Sequence, residues 1–298
     1  MTGTTASEIS NLWAANGPGH FERLESYLPF DLTVFENFFL ATLVLSAIVA
    51  FRYFLMVTPI WAMLYWHKPT KWTKRQIYET LPSKDMQAFE IKWSVITSLL
   101  FGLSGVGLGL MWQMNWTKIY LPFSAYGLWY LPVSFLVMSV LHDFYFYVTH
   151  RWLHLPKVYR RFHSLHHQSL TPSPWASFSF HPVEGFIQAL ALPLIVLVLP
   201  VHPTVLLAYL TFMTISAIIN HLGFEVLPQN GFGQWLGRWL ITGTHHAQHH
   251  RYFRTNYGLF FTIWDKVFGT EDSRYETELS RLTEPSDMKT LVPAKDQL

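Results

Sequence analysis

Three long apolar runs limit what this chain can fold into more than any other feature does. A helix needs about 20 predominantly apolar residues to cross a bilayer, and such runs occur at about 38–66, 95–114 and 128–148. The first is over-long and carries Arg52, which implies tilt, snorkelling or a partner for the guanidinium. A further pair, about 186–199 and 204–219, is split by Pro200-Val-His-Pro203 and reads as a hairpin crossing the bilayer fully or in part. Half of the 298 residues are hydrophobic and only 13% are charged, against about 25% in soluble domains. The expected fold is all-α and integral to the membrane: three to five transmembrane or hairpin helices carrying a histidine-rich helical cap. It reads as a single embedded domain, 1–298. A polar N-terminus (1–36) precedes transmembrane helices (37–148), a histidine-rich catalytic region (149–272) and a charged tail (273–298) expected to be solvated.

Basic residues orient the spans. Lys68, Lys71, Lys74, Arg75, Lys84 and Lys92 crowd the loop after the first run, whereas only Arg23 precedes residue 36 and only Lys118 lies within 113–127. Basic loops favour the cytoplasmic side, so the N-terminus is expected outside and the 67–94 loop inside. Arg151, Lys157, Arg160 and Arg161 then return to the cytosol, and every histidine cluster with them. The N-terminus shows no basic segment before an apolar core, hence no expected cleavable signal. The formal net charge of +2 gives no basic footprint for nucleic acid. Absence of cysteine removes disulfides, thiolate ligands and cysteine nucleophiles.

Thirteen of the fifteen histidines lie between His142 and His250. The runs are His150-Arg-Trp-Leu-His154, His163-Ser-Leu-His166-His167 and His245-His246-Ala-Gln-His249-His250. Residues three and four apart on a helix are surface neighbours, so each run is expected to aim several imidazoles one way. Neutral imidazole suits iron, zinc, copper and nickel. His150, His154, His163, His166, His167, His221, His246, His249 and His250 make nine candidate ligands, and His245 would make ten. His221 follows the second hairpin arm and reads as ligand or core residue. His142 reads as a ligand or as support for one; His181, ahead of Pro182, as ligand, ligand partner or helix-start residue. His20, His67 and His202 read as ordinary core histidines. One catalytic zinc takes three protein ligands, so nine or ten fit two metals, each with an open position. No His-Glu-x-x-His run marks a zincin, and no Gly-x-Ser-x-Gly elbow marks a serine lipase. Oxygen activation on a lipid is the leading reading. A zinc-dependent membrane lipid hydrolase and a metal transporter or sensor are the rivals; the near absence of polar residues in the spans weighs against transport.

The three histidine boxes resemble those of the fatty acid hydroxylase / sterol desaturase superfamily. Pro174-Trp-Ala-Ser177 with Phe180-His181-Pro-Val-Glu184-Gly185-Phe186 is similar to the segment after the second box in desaturases of the lathosterol oxidase type. Asn256-Tyr257-Gly258 and Trp264-Asp265-Lys-Val-Phe268-Gly269-Thr270 resemble the superfamily's C-terminal signature. His142-Asp143 and Phe268-Gly-Thr270 follow the broader superfamily more than the sterol desaturases. The resemblance implies a membrane non-haem di-iron oxidoreductase, holding two iron ions (Fe2+/Fe3+) and using O2 and two electrons to hydroxylate or desaturate a lipid, sterol or isoprenoid. The eight box histidines are implied ligands, with His221 the isolated one before the third box. Asp143, Glu184 and Asp265 are candidate acceptors that orient ligand imidazoles. Without a His-Pro-Gly-Gly haem motif, electrons are expected from a separate cytochrome b5 or ferredoxin system. The site of action would be the endoplasmic reticulum membrane in a eukaryote, or the cytoplasmic membrane in a bacterium.

Overall fold

The computed structural model describes residues 30–67 and 70–283. Most of the polar N-terminus, with His20, and the end of the charged tail therefore lie outside the described residues. Among the described residues the fold is helical, with isolated bridges but no strand. Four helices are long and apolar enough to cross a membrane. In the first, α1 (Phe35–Trp61) passes Pro59 and continues as a π-turn, Ala62–Trp66. The second is α2 (Lys84–Gln113), which starts where Ser83 Oγ accepts from Met86 N at 3.1 Å, with Asp85 in the first turn; a serine cap and an early acid both stabilise a helix start. The third is α3 (Tyr130–Leu153).

The hairpin consists of α4 (Pro182–Ala189), α5 (Ala191–Val198) and α6 (Pro203–Asn220), the last being the fourth candidate span. Its tip meets the loop joining α2 to α3: Lys118 N donates to Val196 O at 2.7 Å and Tyr120 N to Val201 O at 3.2 Å. His202 caps α6 and its Nε2 lies 2.8 Å from Leu121 O, an ordinary structural role. Both arms therefore run from the histidine end to the opposite loop. The 182–198 arm alone is about 25 Å at 1.5 Å per residue, close to the hydrocarbon thickness of about 30 Å.

Spans α1 and α2 pack closely because Gly102 faces Ser46. A Cβ at residue 102 would lie 2.1 Å from Ser46 Oγ and 2.7 Å from its Cα. Such small-residue contacts suit apolar surroundings, where close backbone approach replaces the hydrophobic drive. At the other end the loop after α1 joins the segment after α6, with Ile77 N on Gly223 O at 3.0 Å and Glu225 N on Arg75 O at 2.9 Å. Four further helices cap this end: α7 (Gly231–Gly237), α8 (Gly243–Tyr252), α9 (Ile263–Val267) and α10 (Tyr275–Thr283). The last corrects the expectation of a solvated tail from 273. Its charge density hides an amphipathic turn whose Tyr275, Leu279 and Leu282 are buried, and Tyr275 Oη donates to Gly237 O at 2.6 Å.

Candidate metal centre

Each histidine box reaches the site on a different local structure. His150 sits in the last turn of α3, and His154 is its C-cap. The second box forms no regular helix: a π-turn (Tyr159–His163) leads into a 3-10 turn (His166–Gln168). The spacing that suggested one helix face therefore works by another route. The third box rides on α8, whose N-cap Thr242 accepts from His245 N at 3.3 Å. Buried Glu225 holds the same end through Thr244 Oγ1 at 2.6 Å. His221 caps the C-terminus of α6.

The nine imidazoles gather as two sets: His150, His154, His163, His167 and His249, and beside them His166, His221, His246 and His250. Within each set the facing nitrogens all lie within 4.8 Å of one another. The i,i+4 pairs 150/154, 163/167 and 246/250 each serve one set, whereas His166 and His249 cross from their own boxes to the other. In the set of five, Nε2 atoms close a ring: His154 to His163 3.0 Å, His163 to His167, His167 to His249 and His249 to His154 each 3.1 Å. His150 Nε2 lies 3.2 Å from His163 Nε2. In the set of four, His246 Nε2 is 3.0 Å from His221 and 3.1 Å from His250, and His221 is 3.5 Å from His166.

These contacts are not a hydrogen-bonded network. The Nδ1 atoms of His150, His166, His221, His249 and His250 face the carbonyls of Tyr257, Ser179, Ala217, Thr255 and Ser169 at 2.8–3.1 Å. A carbonyl only accepts, so Nδ1 carries the hydrogen and Nε2 of the neutral ring presents a bare lone pair. His166 and His221 thus aim lone pairs at each other, an arrangement that wants a cation between them. Two nitrogens bound at about 2.1 Å stand about 3.0 Å apart across a right angle and about 3.4 Å across a tetrahedral one. The ring of the first set matches the right angle. The residues present therefore fit two metal ions, and the five-nitrogen set fits one richer in ligands than tetrahedral zinc.

Burial keeps the rings in the metal-binding form. Loss of hydration, reinforced by neighbouring imidazoles, holds His163, His166, His167, His246, His249 and His250 well below the usual histidine range, and burial holds His221 down at about 4. All are neutral at pH 7, as a metal requires.

Three other candidate ligands lie outside both sets. His142 sits in α3 about 12 Å of helix before His150; its Nδ1 is 3.0 Å from Tyr209 Oη. His181 caps α4, accepting from Val183 N at 3.2 Å, the helix-start alternative. His245 is buried against Tyr275, with Nε2 4.0 Å from Asp265 Oδ2.

The three carboxylates fall into two roles. Glu184 Oε1 lies 2.8 Å from His163 Nδ1, close enough to orient that ligand directly though not aligned as a hydrogen bond. Asp143 instead accepts from Leu259 N and Phe260 N at 3.0 and 2.7 Å, and Asp265 from Tyr257 N and Gly258 N at 2.8 Å each. These two fix the 257–260 backbone, whose Tyr257 carbonyl in turn orients His150. Sequence reasoning missed Glu225 and the carbonyl acceptors; the Asn256-Tyr257-Gly258 signature was the available signal. Asn256 takes φ 60 and donates to His245 O at 2.9 Å. A Cβ at residue 258 would lie 2.7 Å from Phe261 O.

Below the histidines a cavity of about 430 Å³ opens between α1, α2, α3 and the hairpin, walled by residues such as Ile48, Phe101, Phe178, Leu210 and Phe260. Binding sites for small molecules commonly measure about 300–1,000 Å³, so the space suits a lipid-sized ligand.

The fatty acid hydroxylase family model matches residues 135–270. The chain is 33% identical over 211 residues to the Delta(7)-sterol 5(6)-desaturase of Saccharomyces cerevisiae, covering 68% of this chain and 55% of that protein. It is 34% identical over 183 residues to human lathosterol oxidase, covering 61% and 60%. A second Delta(7)-sterol 5(6)-desaturase, from Candida glabrata, is 32% identical over 203 residues, covering 66% and 53%. The chain thus spans little more than half the length of these curated relatives, and no solved structure matches it. All three histidine boxes and the 256–270 loop fall inside the matched region, and over it the chain is similar to the fatty acid hydroxylase family.

Proposed function

We propose that this protein is a membrane non-haem di-iron oxidoreductase that hydroxylates or desaturates a lipid, sterol or isoprenoid. The supporting observation is the pair of converging histidine sets, five nitrogens and four, together with an apolar cavity among the candidate membrane helices. His150, His154, His163, His167 and His249 would hold one iron, and His166, His221, His246 and His250 the other. Iron supplies the redox chemistry, taking O2 and two electrons against an inert C–H bond; with two protons the balance closes for either outcome, as alcohol and one water or alkene and two waters. His142, His181 and His245 belong to the supporting structure in this proposal.

The chain's own residues orient and shield. Backbone carbonyls and Glu184 keep the hydrogen on Nδ1, leaving Nε2 for metal. The cavity walls bind the apolar body at about 25 cal/mol per Å² buried and exclude water from the reacting carbon. Electrons would come from a separate cytochrome b5 or ferredoxin system meeting the histidine cap on the cytosolic side. In a eukaryote the membrane would be the endoplasmic reticulum; in a bacterium it would be the cytoplasmic membrane.

The test joins metal analysis of the purified protein to mass spectrometry of lipids from cells with and without it. Two irons per chain and an oxidised or newly unsaturated lipid are expected. His166→Ala and His249→Ala should each abolish product and lower iron content, because each removes a ligand from a different set. Turnover retained in either variant overturns the reading.

A further inference from the structure

The cavity wall is apolar apart from a belt of four polar side chains and two serines, Ser104 and Ser177, whose hydroxyls donate to Ala189 O and Pro174 O. Arg52 on α1, His142 on α3, Gln188 on α4 and Thr214 on α6 all line it. Thr214 precedes His221 by about 10 Å of helix and His142 precedes His150 by about 12 Å, while Gln188 follows Glu184 by about 6 Å. The belt therefore lies one to two helical turns into the membrane from the histidine nitrogens.

Its members have bonding capacity to spare. Arg52 offers five N–H donors, and its Nη2 donates to Thr214 Oγ1 at 2.8 Å. Among the described residues no carboxylate lies within ion-pair distance of it. Thr214 spends its own hydrogen on Leu210 O at 2.9 Å. Gln188 is 9% exposed, and both of its amide atoms lack a protein partner. A guanidinium in mid-span is costly, and such residues mark functional paths in membrane proteins. An unpartnered amide on the same cavity wall adds to that cost unless something else accepts and donates there.

We propose that Arg52, positioned by Thr214 and assisted by Gln188, reads a hydrogen-bond-accepting oxygen carried by the substrate inside the membrane. The substrate class is then a lipid with a hydroxyl, carbonyl or carboxylate held about 10 Å from the metal-binding nitrogens. A bare hydrocarbon, or a lipid whose only polar group stays at the headgroup level, would leave the belt unsatisfied. The inference rests on the oxygenase reading for the role of the cavity, but its test does not depend on turnover.

Binding of tritiated cholesterol and tritiated oleate to the iron-loaded full chain in detergent, each competed by its matching hydrocarbon, 5α-cholestane or octadecane, reads the contact directly. At least one tracer should bind, with the unlabelled oxygen-bearing lipid competing roughly tenfold better than the hydrocarbon, as expected for one hydrogen bond to a charged donor. The better tracer identifies hydroxyl or carboxylate as the source of the oxygen. Arg52→Leu should reduce the discrimination to about twofold or less, and Arg52→Lys should restore part of it; unchanged iron content and gel-filtration profile report that both variants fold. Equal competition by the hydrocarbons, discrimination surviving in Arg52→Leu, or no binding by either tracer overturns the proposal. Intact discrimination in an iron-loaded protein that makes no product would instead count against the oxygenase reading alone.

Discussion

Among the described residues, Glu184 is the acidic side chain that meets one of the nine converging imidazoles, that of His163. Its neighbours in sequence explain the placement: His181 caps the helix, Pro182 occupies its first turn, and the carboxylate follows on the buried face. Removing an outer partner of a metal-binding histidine typically weakens metal affinity 10–100-fold. Glu184→Gln is therefore expected to lose that much affinity at the set of five while the set of four keeps its own, as calorimetric titration of iron-free protein with Fe2+ would show. Residue types and spacings made the nine converging histidines legible. They did not separate His142 and His245, which share the same chemistry. His142 sits on the right helix but two turns too deep, and His245 points from the far side of α8 toward Asp265; both facts depend on tertiary placement. His181 was readable in one respect, since a polar residue before a proline suits a helix start.

Among the elements, apolar length predicted α1, α2, α3 and the hairpin, because a bilayer sets one dimension for all of them. Whether the hairpin crosses was not legible, since the answer lies in its tip meeting the 118–121 loop. The second box misled because its three-and-four spacing suits a helix, while the chain takes a π-turn and a 3-10 turn that send His166 away from His163 and His167. The α10 helix was hidden by its charges, Glu276, Glu278 and Arg281, which flank the buried Tyr275, Leu279 and Leu282. Packing of α1 on α2 offers a sharp test. Gly102→Val places a branched isopropyl group against Ser46, where even a Cβ would lie 2.1 Å from the side-chain oxygen and 2.7 Å from the backbone. Overpacking of this kind costs about 1–3 kcal/mol, so the variant should denature earlier in thermal scans, whereas Gly107→Ala, with open space around it, should not.

For the molecule as a whole, burial of so many imidazoles ties stability to acidity. In the unfolded chain these rings take up protons near pH 6.5. In the folded chain they resist: burial holds His221 down at about 4, and burial with neighbouring imidazoles holds His163, His166 and His249 well below the usual range. Between pH 6.5 and 4 the unfolded state therefore binds protons that the folded state does not, and stability falls as pH falls; above 6.5 both states are neutral and the dependence vanishes. Melting temperatures of iron-free protein are expected to be level from pH 7 to 8 and to drop steadily below 6.5; iron-loaded protein is expected to release its iron over the same range.

With the two proposed ions in place, the crossing of His166 and His249 between the sets would make α8 and the 163–167 turn each grip both at once. The first ion to enter restrains the scaffolding of its neighbour, lowering the ordering cost of the second. Half-filled molecules should therefore be scarce: native mass spectrometry during iron titration is expected to show chains with none or two, and an abundant single-ion species would mean that the centres fill as strangers.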